Sequence, residues 1–225
     1  MPADQQLESW ESPEYAAQWA GDDVIADMLE LPRRIAVAVV ADSGLDVTHV
    51  VDVGSGPGAF LETFLRAFPT AHGTWIDFSD TMRELAQDRL ARLGDRVTYV
   101  IGDAEKLDEL DVDSAQVVVS SRAFHHFSPE SLRHVYRAAF ELLTPGGFAM
   151  NLDHVGAPGD WEQAYRRIRP QFVGKRKSSI KPHRHDYPLS RADEHGAWME
   201  EAGFGAADTP WRMFYSALIV ARKPD

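Results

Sequence analysis

Along this chain, short apolar runs alternate with longer stretches in which apolar residues recur every three or four positions, a rhythm that begins at His49. Val50–Val53, Gly73–Ile76, Val97–Ile101, Gln116–Ser120 and Phe148–Asp153 are short and mostly apolar, which predicts buried strands. Between them, Ala59–Phe68, the segment from Ser79 to about Leu93, and Pro129–Leu142 repeat with a helical period. Ser79 is placed to cap its helix and Gly94 to stop it, and Pro145-Gly146-Gly147 reads as a turn before the fifth strand. Arg191–Ala202 predicts a last helix closed by Gly203, and Trp211–Ala221 a final strand that pairs antiparallel. Upstream, residues 1–46 read as helical, with a start at Ser12-Pro13-Glu14. A longer amphipathic pattern from Asp22 to Val40 is one that Pro32 should end or kink.

Strands and helices alternating with short links predict an α/β fold: a doubly wound, mostly parallel sheet covered on both faces. The expected organisation is an N-terminal helical cap over 1–46 and a second unit over 47–225. The stretch 156–188 is too long for an ordinary connection and is expected to be an insertion over the site.

Composition narrows the function classes. A chain of 225 residues with 44% hydrophobic residues can build a full core. A formal net charge of -12 disfavours nucleic acid and anionic membrane as partners. The absence of cysteine excludes disulfides, cysteine-ligated metals and iron–sulfur clusters, and any cysteine nucleophile. The polar, acidic Met1–Glu14 does not resemble a signal peptide, and the apolar run Ile35–Ala41 is too short to span a bilayer. A cytoplasmic protein, monomer or homodimer, is the expectation.

The chemistry gathers where the predicted strands end. Val50-Val51-Asp52-Val53 runs into Gly54-Ser55-Gly56-Pro57-Gly58, a G-x-G-x-G loop delivering the chain to a helix N-terminus, where free N–H groups suit an anionic ligand end. Asp77 ends the second strand, where an acid can accept from ribose hydroxyls. Gly102-Asp103-Ala104 follows the third, and Ser120-Ser121-Arg122-Ala123-Phe124-His125-His126-Phe127 the fourth. His154 follows the fifth. In a doubly wound sheet all these segments share one rim.

This ordered series, with Leu143-Thr144-Pro145-Gly146-Gly147 after it, resembles the class I S-adenosylmethionine (SAM)-dependent methyltransferases of the small-molecule type, over roughly residues 48–155. The resemblance implies a Rossmann-like sheet, SAM as cofactor, and transfer of a methyl group to a small-molecule acceptor. It implies a cofactor site made of Asp52, Gly54, Ser55, Gly56 and Gly58 at the methionine part, Asp77 on the ribose, Phe78 and Met82 near the adenine, Asp103 and Ala104 on the adenine edge, and Ser120 and Ser121 at the methionine end. His125, His126 and His154 are the candidate general bases, since histidine titrates near neutral pH. A metal site from Asp153, His154, His183 and His185 lacks any tight ligand spacing, so no metal is expected.

Between Arg166 and His185 there is no acid, while arginine and lysine recur. Arg166, Arg167 and Arg169 are therefore candidates for contacting an anionic acceptor, and Tyr15 and Trp19 for contacting it from the N-terminal side. Two rival readings remain. One is a SAM- or S-adenosylhomocysteine (SAH)-binding protein with a non-methylating or regulatory role. The other is an NAD-dependent oxidoreductase, which the G-x-G-x-G spacing disfavours.

Overall fold

Strand alternation decides which side chains meet. Within Val50–Val53, Val51 and Val53 point to one face of the sheet, while Val50 and Asp52 point to the other. All four are fully buried, as in a strand covered on both sides. The computed structural model describes residues 23–172 and 187–225.

The strands are β1 (His49–Val53), β2 (His72–Asp77), β3 (Val97–Ile101), β4 (Ala115–Ser121), β5 (Leu143–His154), β6 (Asp208–Met213) and β7 (Ser216–Arg222). They form one seven-stranded sheet in the order β3-β2-β1-β4-β5-β7-β6. The first five are parallel, and β7 and β6 are antiparallel. The order reverses between β1 and β4, so the carboxyl ends of those two strands flank the crevice where ligands enter such sheets.

Helices α1 (Asp23–Asp42), α2 (Ala59–Ala67) and α3 (Asp80–Leu90) lie on one side. They bury Leu29, Phe60, Phe64 and Ala86 with Val50, Trp75 and Val117. Helices α4 (Pro129–Leu142) and α6 (Ala192–Ala202) cover the other side, burying Leu132, Tyr136 and Trp198 with Val51, Ile76 and Val118. The short α5 (Trp161–Ile168) follows β5 and ends in a 3₁₀ turn, Arg169–Gln171. The insertion is pinched at its base, where the Gly156 N–H donates to the Ser190 carbonyl at 2.9 Å.

Four expectations need correction. α1 runs unbroken past Pro32, because Leu29, Ala36 and Val40 anchor it to the core on both sides of the proline. The helix capped by Ser79 ends at Leu90 rather than near Leu93, and a 3₁₀ stretch, Ala91–Arg96, completes it. The fifth strand begins at Leu143, and its Pro145-Gly146-Gly147 turn is absorbed as an irregularity within it. There Gly146 donates to the Lys223 carbonyl at 3.1 Å and Gly147 accepts from the Lys223 N–H at 2.8 Å. The single final strand is instead a hairpin, β6 and β7, reversed at Phe214 and Tyr215, with Phe214 in left-handed backbone at φ 56°.

Candidate active site

The glycine loop between β1 and α2 turns through three left-handed residues: Gly54 at φ 63°, Gly56 at φ 53° and Gly58 at φ 78°. Side chains rarely adopt that conformation. At Gly54 there is a second reason, since a Cβ would stand 2.4 Å from the Ala123 Cβ. The middle peptide is fixed from both ends. Gly56 N–H donates to Asp77 Oδ2 at 2.9 Å, and its carbonyl accepts from Trp75 Nε1 at 2.8 Å. Asp77 Oδ1 in turn accepts from the Ser79 N–H at 3.0 Å. Burial raises the Asp77 pKa against the pull of those backbone donors.

A cavity of about 310 Å³ opens above the loop. Of the residues expected at the cofactor, Gly54, Ser55, Gly56, Asp77, Phe78, Met82, Asp103, Ala104 and Ser121 line it. Phe78 stands half exposed at its mouth, as a ring available for stacking would. Asp103 lines the cavity and also caps its own turn, accepting from the Glu105 N–H at 3.0 Å. Gly58 and Ser120 do not reach the cavity surface. Gly58 turns the chain into α2, and Ser120 is buried in β4.

Asp52 also lies beneath the lining rather than in it. Its Oδ2 accepts from Ser55 Oγ at 2.7 Å and the Leu61 N–H at 3.1 Å, while Oδ1 is buried with no hydrogen-bond partner. Burial pushes its pKa up to about 7, opposed by Ser55, Leu61 and the Arg33 charge. A carboxyl raised above its unfolded value of 3.8 adds stability that is whole below pH 3.8 and lost as pH climbs through about 7. Asp52→Asn keeps an oxygen for Ser55 and Leu61 and removes the titration. The Tm of the unliganded variant, relative to wild type, should therefore climb by several degrees from pH 5 to pH 8. A Tm difference that stays flat across that range would show that Asp52 does not titrate there.

Of the three candidate histidines only His126 lines the cavity; His125 and His154 lie off the lining, joined by Asp153, which the sequence offered only as a conceivable metal ligand. Both oxygens of the fully buried Asp153 are engaged. Oδ1 accepts from His125 Nδ1 at 2.6 Å and the His154 N–H at 2.7 Å, and Oδ2 from the His125 N–H at 2.9 Å. Burial alone would raise the Asp153 pKa, but His125, Arg122 and the His154 N–H outweigh it and bring it down to about 2. With Nδ1 donating to Asp153, Nε2 is the proton-accepting nitrogen of His125. His126 lines the cavity, its ring 4.1 Å from that of His125. The His154 ring lies 5.0 Å from His125, and its Nε2 accepts from Arg122 Nη1, a poor arrangement for taking a further proton. With Asp153 committed to His125, it is not available as a metal ligand, and His183 and His185 lie outside the described residues.

None of Arg166, Arg167 and Arg169 lines the cavity. Arg166 pairs with Glu162 at 2.7 Å, and Arg167 is exposed. Arg169 lies over the Tyr215 ring at 5.1 Å. Tyr15 and Trp19 lie outside the described residues. Among the lining residues that sequence reasoning missed are Arg33 and Arg122. A signal existed for each. Arg33 falls on the apolar stripe Leu29, Ala36, Val40 of its helix, and Arg122 is the lone formal charge in the exit from strand four.

Residues 50–147 match the family model of the methyltransferase domain. Over those residues the chain carries a methyltransferase domain. The domain is 31% identical over 115 residues to the demethylmenaquinone methyltransferase of Leptospira interrogans, covering 50% of this chain and 45% of that protein. It is 35% identical over 116 residues to aclacinomycin 10-hydroxylase of Streptomyces purpurascens, covering 51% of this chain and 30% of that one. The chain thus spans less than half the length of these relatives. In fold it is similar to human N-acetylserotonin methyltransferase in complex with SAM, with a TM-score of 0.69 at 16% identity, covering 100% of this chain and 61% of that one.

SAM is the cofactor of the family, and the residues of this methyltransferase domain fit it. Ser121 Oγ and Arg33 Nε, on residues that line the cavity, are buried without hydrogen-bond partners, and SAM brings an ammonium and a carboxylate to the glycine-loop end. Among the described residues no helix is long and apolar enough to cross a membrane.

Proposed function

We propose that this chain transfers a methyl group from SAM to an acidic O–H, N–H or C–H of a small molecule, with His125 as the general base. The observation that carries this is one continuous cavity. It has the glycine loop, Asp77 and Asp103 at one end, and at the other His126, packed against the Asp153-oriented His125. Bound SAM supplies a methyl group on a cationic sulfur. The loop holds the methionine end, Asp77 accepts from the ribose hydroxyls, and the exposed Phe78 ring covers the base. Asp153 sets the tautomer of His125, whose Nε2 takes the acceptor's proton as the nucleophile attacks. Alignment of nucleophile, methyl and sulfur supplies much of the acceleration. The cytoplasm is the compartment this reading assigns.

A second reading has one specific support, the 35% identical relative named as a hydroxylase. In it the chain binds SAM or SAH and carries out no methyl transfer. Calorimetry with SAH and incubation with methyl-labelled SAM and metabolite pools separate the two. SAH should bind and raise Tm. Asp77→Ala should weaken SAH by about ten- to a hundredfold, the scale for losing charge-assisted hydrogen bonds. Binding without label transfer to any acceptor would favour the second reading, and no binding would sink both.

A further inference from the structure

At the histidine end of the cavity stands a buried cation without a paired anion. Arg122 is 7% exposed and lines the cavity. Its backbone is held left-handed at φ 61°, a strained position for a non-glycine residue and one that accumulates at functional sites. Nη1 donates to His154 Nε2 and Nη2 to Ser216 Oγ at 3.2 Å. A histidine nitrogen that accepts is unprotonated, so both partners are neutral there. Nε is buried with no hydrogen-bond partner. The one carboxylate that attracts Arg122 is Asp153, whose oxygens already serve His125 and the His154 N–H. Arg122 makes no ion pair among the described residues.

The surroundings add positive charge. Arg169 and Arg33 both act repulsively on Arg122. Burial, with those two charges behind it, pushes the Arg122 pKa down to about 10. The guanidinium therefore still carries its charge at neutral pH. A buried charge is ordinarily paired, because leaving water costs several kcal/mol. A buried guanidinium attracted by one carboxylate that is already committed elsewhere, with two further guanidinium charges in its field, describes a site prepared for an arriving anion.

SAM itself carries one carboxylate, so the arginines must be assigned. Arg33 stands on α1, in the fields of Asp52, Glu62 and Arg89. That is the side of the glycine loop and α2, where the methionine part belongs. Arg122 stands on the other side, over β5 and β7, through His154 and Ser216. Arg169 reaches the same side through the Tyr215 ring, which lies 5.8 Å from that of His154. Phe214 next to it is flanked by Tyr165 at 5.5 Å and Phe172 at 5.9 Å, an aromatic cluster off the cavity lining.

We infer that Arg122, supported by Arg169, binds a carboxylate on the methyl acceptor, making the acceptor a small carboxylic acid. This rests on the methyltransferase reading for the word acceptor, and on Arg122 itself for the anion. A carboxylate would receive Nε and a neighbouring Nη in the parallel geometry that guanidinium favours.

Benzoate and its neutral isostere benzamide test the inference, titrated by calorimetry into the full chain saturated with SAH. Benzoate should bind, and benzamide should bind at least about tenfold more weakly. Arg122→Met should lower benzoate affinity by about tenfold or more and leave SAH affinity within about twofold. The half-buried Arg169→Gln should lower benzoate affinity by about threefold, and it keeps the test decisive if Arg122→Met fails to fold. Equal binding of the two probes, binding of neither, or unchanged benzoate affinity in the arginine variants would overturn it. So would loss of SAH affinity in Arg122→Met, which would hand the guanidinium to the cofactor's carboxylate. If wild type fails to bind SAH, the methyltransferase reading falls, and the same titrations on the unliganded chain still decide for or against Arg122.

Discussion

A valine at position 56 should abolish SAH binding while the sheet still folds. Gly56 lines the cavity at φ 53°, where a β-branched residue is costly, on the order of 1–2 kcal/mol. To relieve that strain the peptide must turn. Turning breaks the Gly56 N–H bond to Asp77 and the Trp75 bond to the Gly56 carbonyl, so the loop and the ribose acid are displaced together. The strands need neither bond, because their ladders run from His49 to Val53 and from His72 to Asp77. Far-ultraviolet circular dichroism should therefore be close to wild type while calorimetry with SAH is flat. The contrast with Gly54→Val is informative. At Gly54 the added side chain meets Ala123, which belongs to the exit from β4, so that variant should lose Tm as well as binding. SAH affinity within threefold of wild type in Gly56→Val would mean that the cofactor lies elsewhere.

His125→Asn should reduce turnover by about 10²–10⁴-fold, the usual worth of a general base, with SAH affinity unchanged. The asparagine amide takes the place of Nδ1, so the bond to Asp153 is retained while Nε2 is lost. The measurement is kcat for an acceptor found by label transfer. His126→Asn is the companion, since His126 lines the cavity while His125 is the histidine hydrogen-bonded to Asp153. It should cost less. If His126→Asn is the inactive variant and His125→Asn turns over normally, the base is His126 and the Asp153 contact is structural.

How much of this was legible in the chain follows from the range of each interaction. The strand–helix rhythm, the glycine turn, the Ser79 cap and the acids ending the second and third strands depend on neighbours a few residues away. The sequence pattern contained them, and the ordered series was enough to name a family. Element edges were less legible, because distant partners set them. β5 begins early since Gly146 and Gly147 pair with Lys223, and α1 passes Pro32 since the core holds both of its halves.

The character of the site was decided by the tertiary structure. Nothing local shows that Asp52 lies under the cavity while Asp77 lines it, although both end a strand at the same rim. The difference is the depth that strand register gives each side chain. The sequence also drew attention to Arg166 and Arg167, a dense basic run, yet α5 turns them to solvent and to Glu162. The positive charge at the cavity comes instead from Arg33, Arg89 and Arg122, which lie far apart along the chain on three different segments. Charge density along a chain reports exposure, because solvated cations cost little. A cation that matters at a site is one the fold has removed from water, and burial is a property of all the elements packed around it.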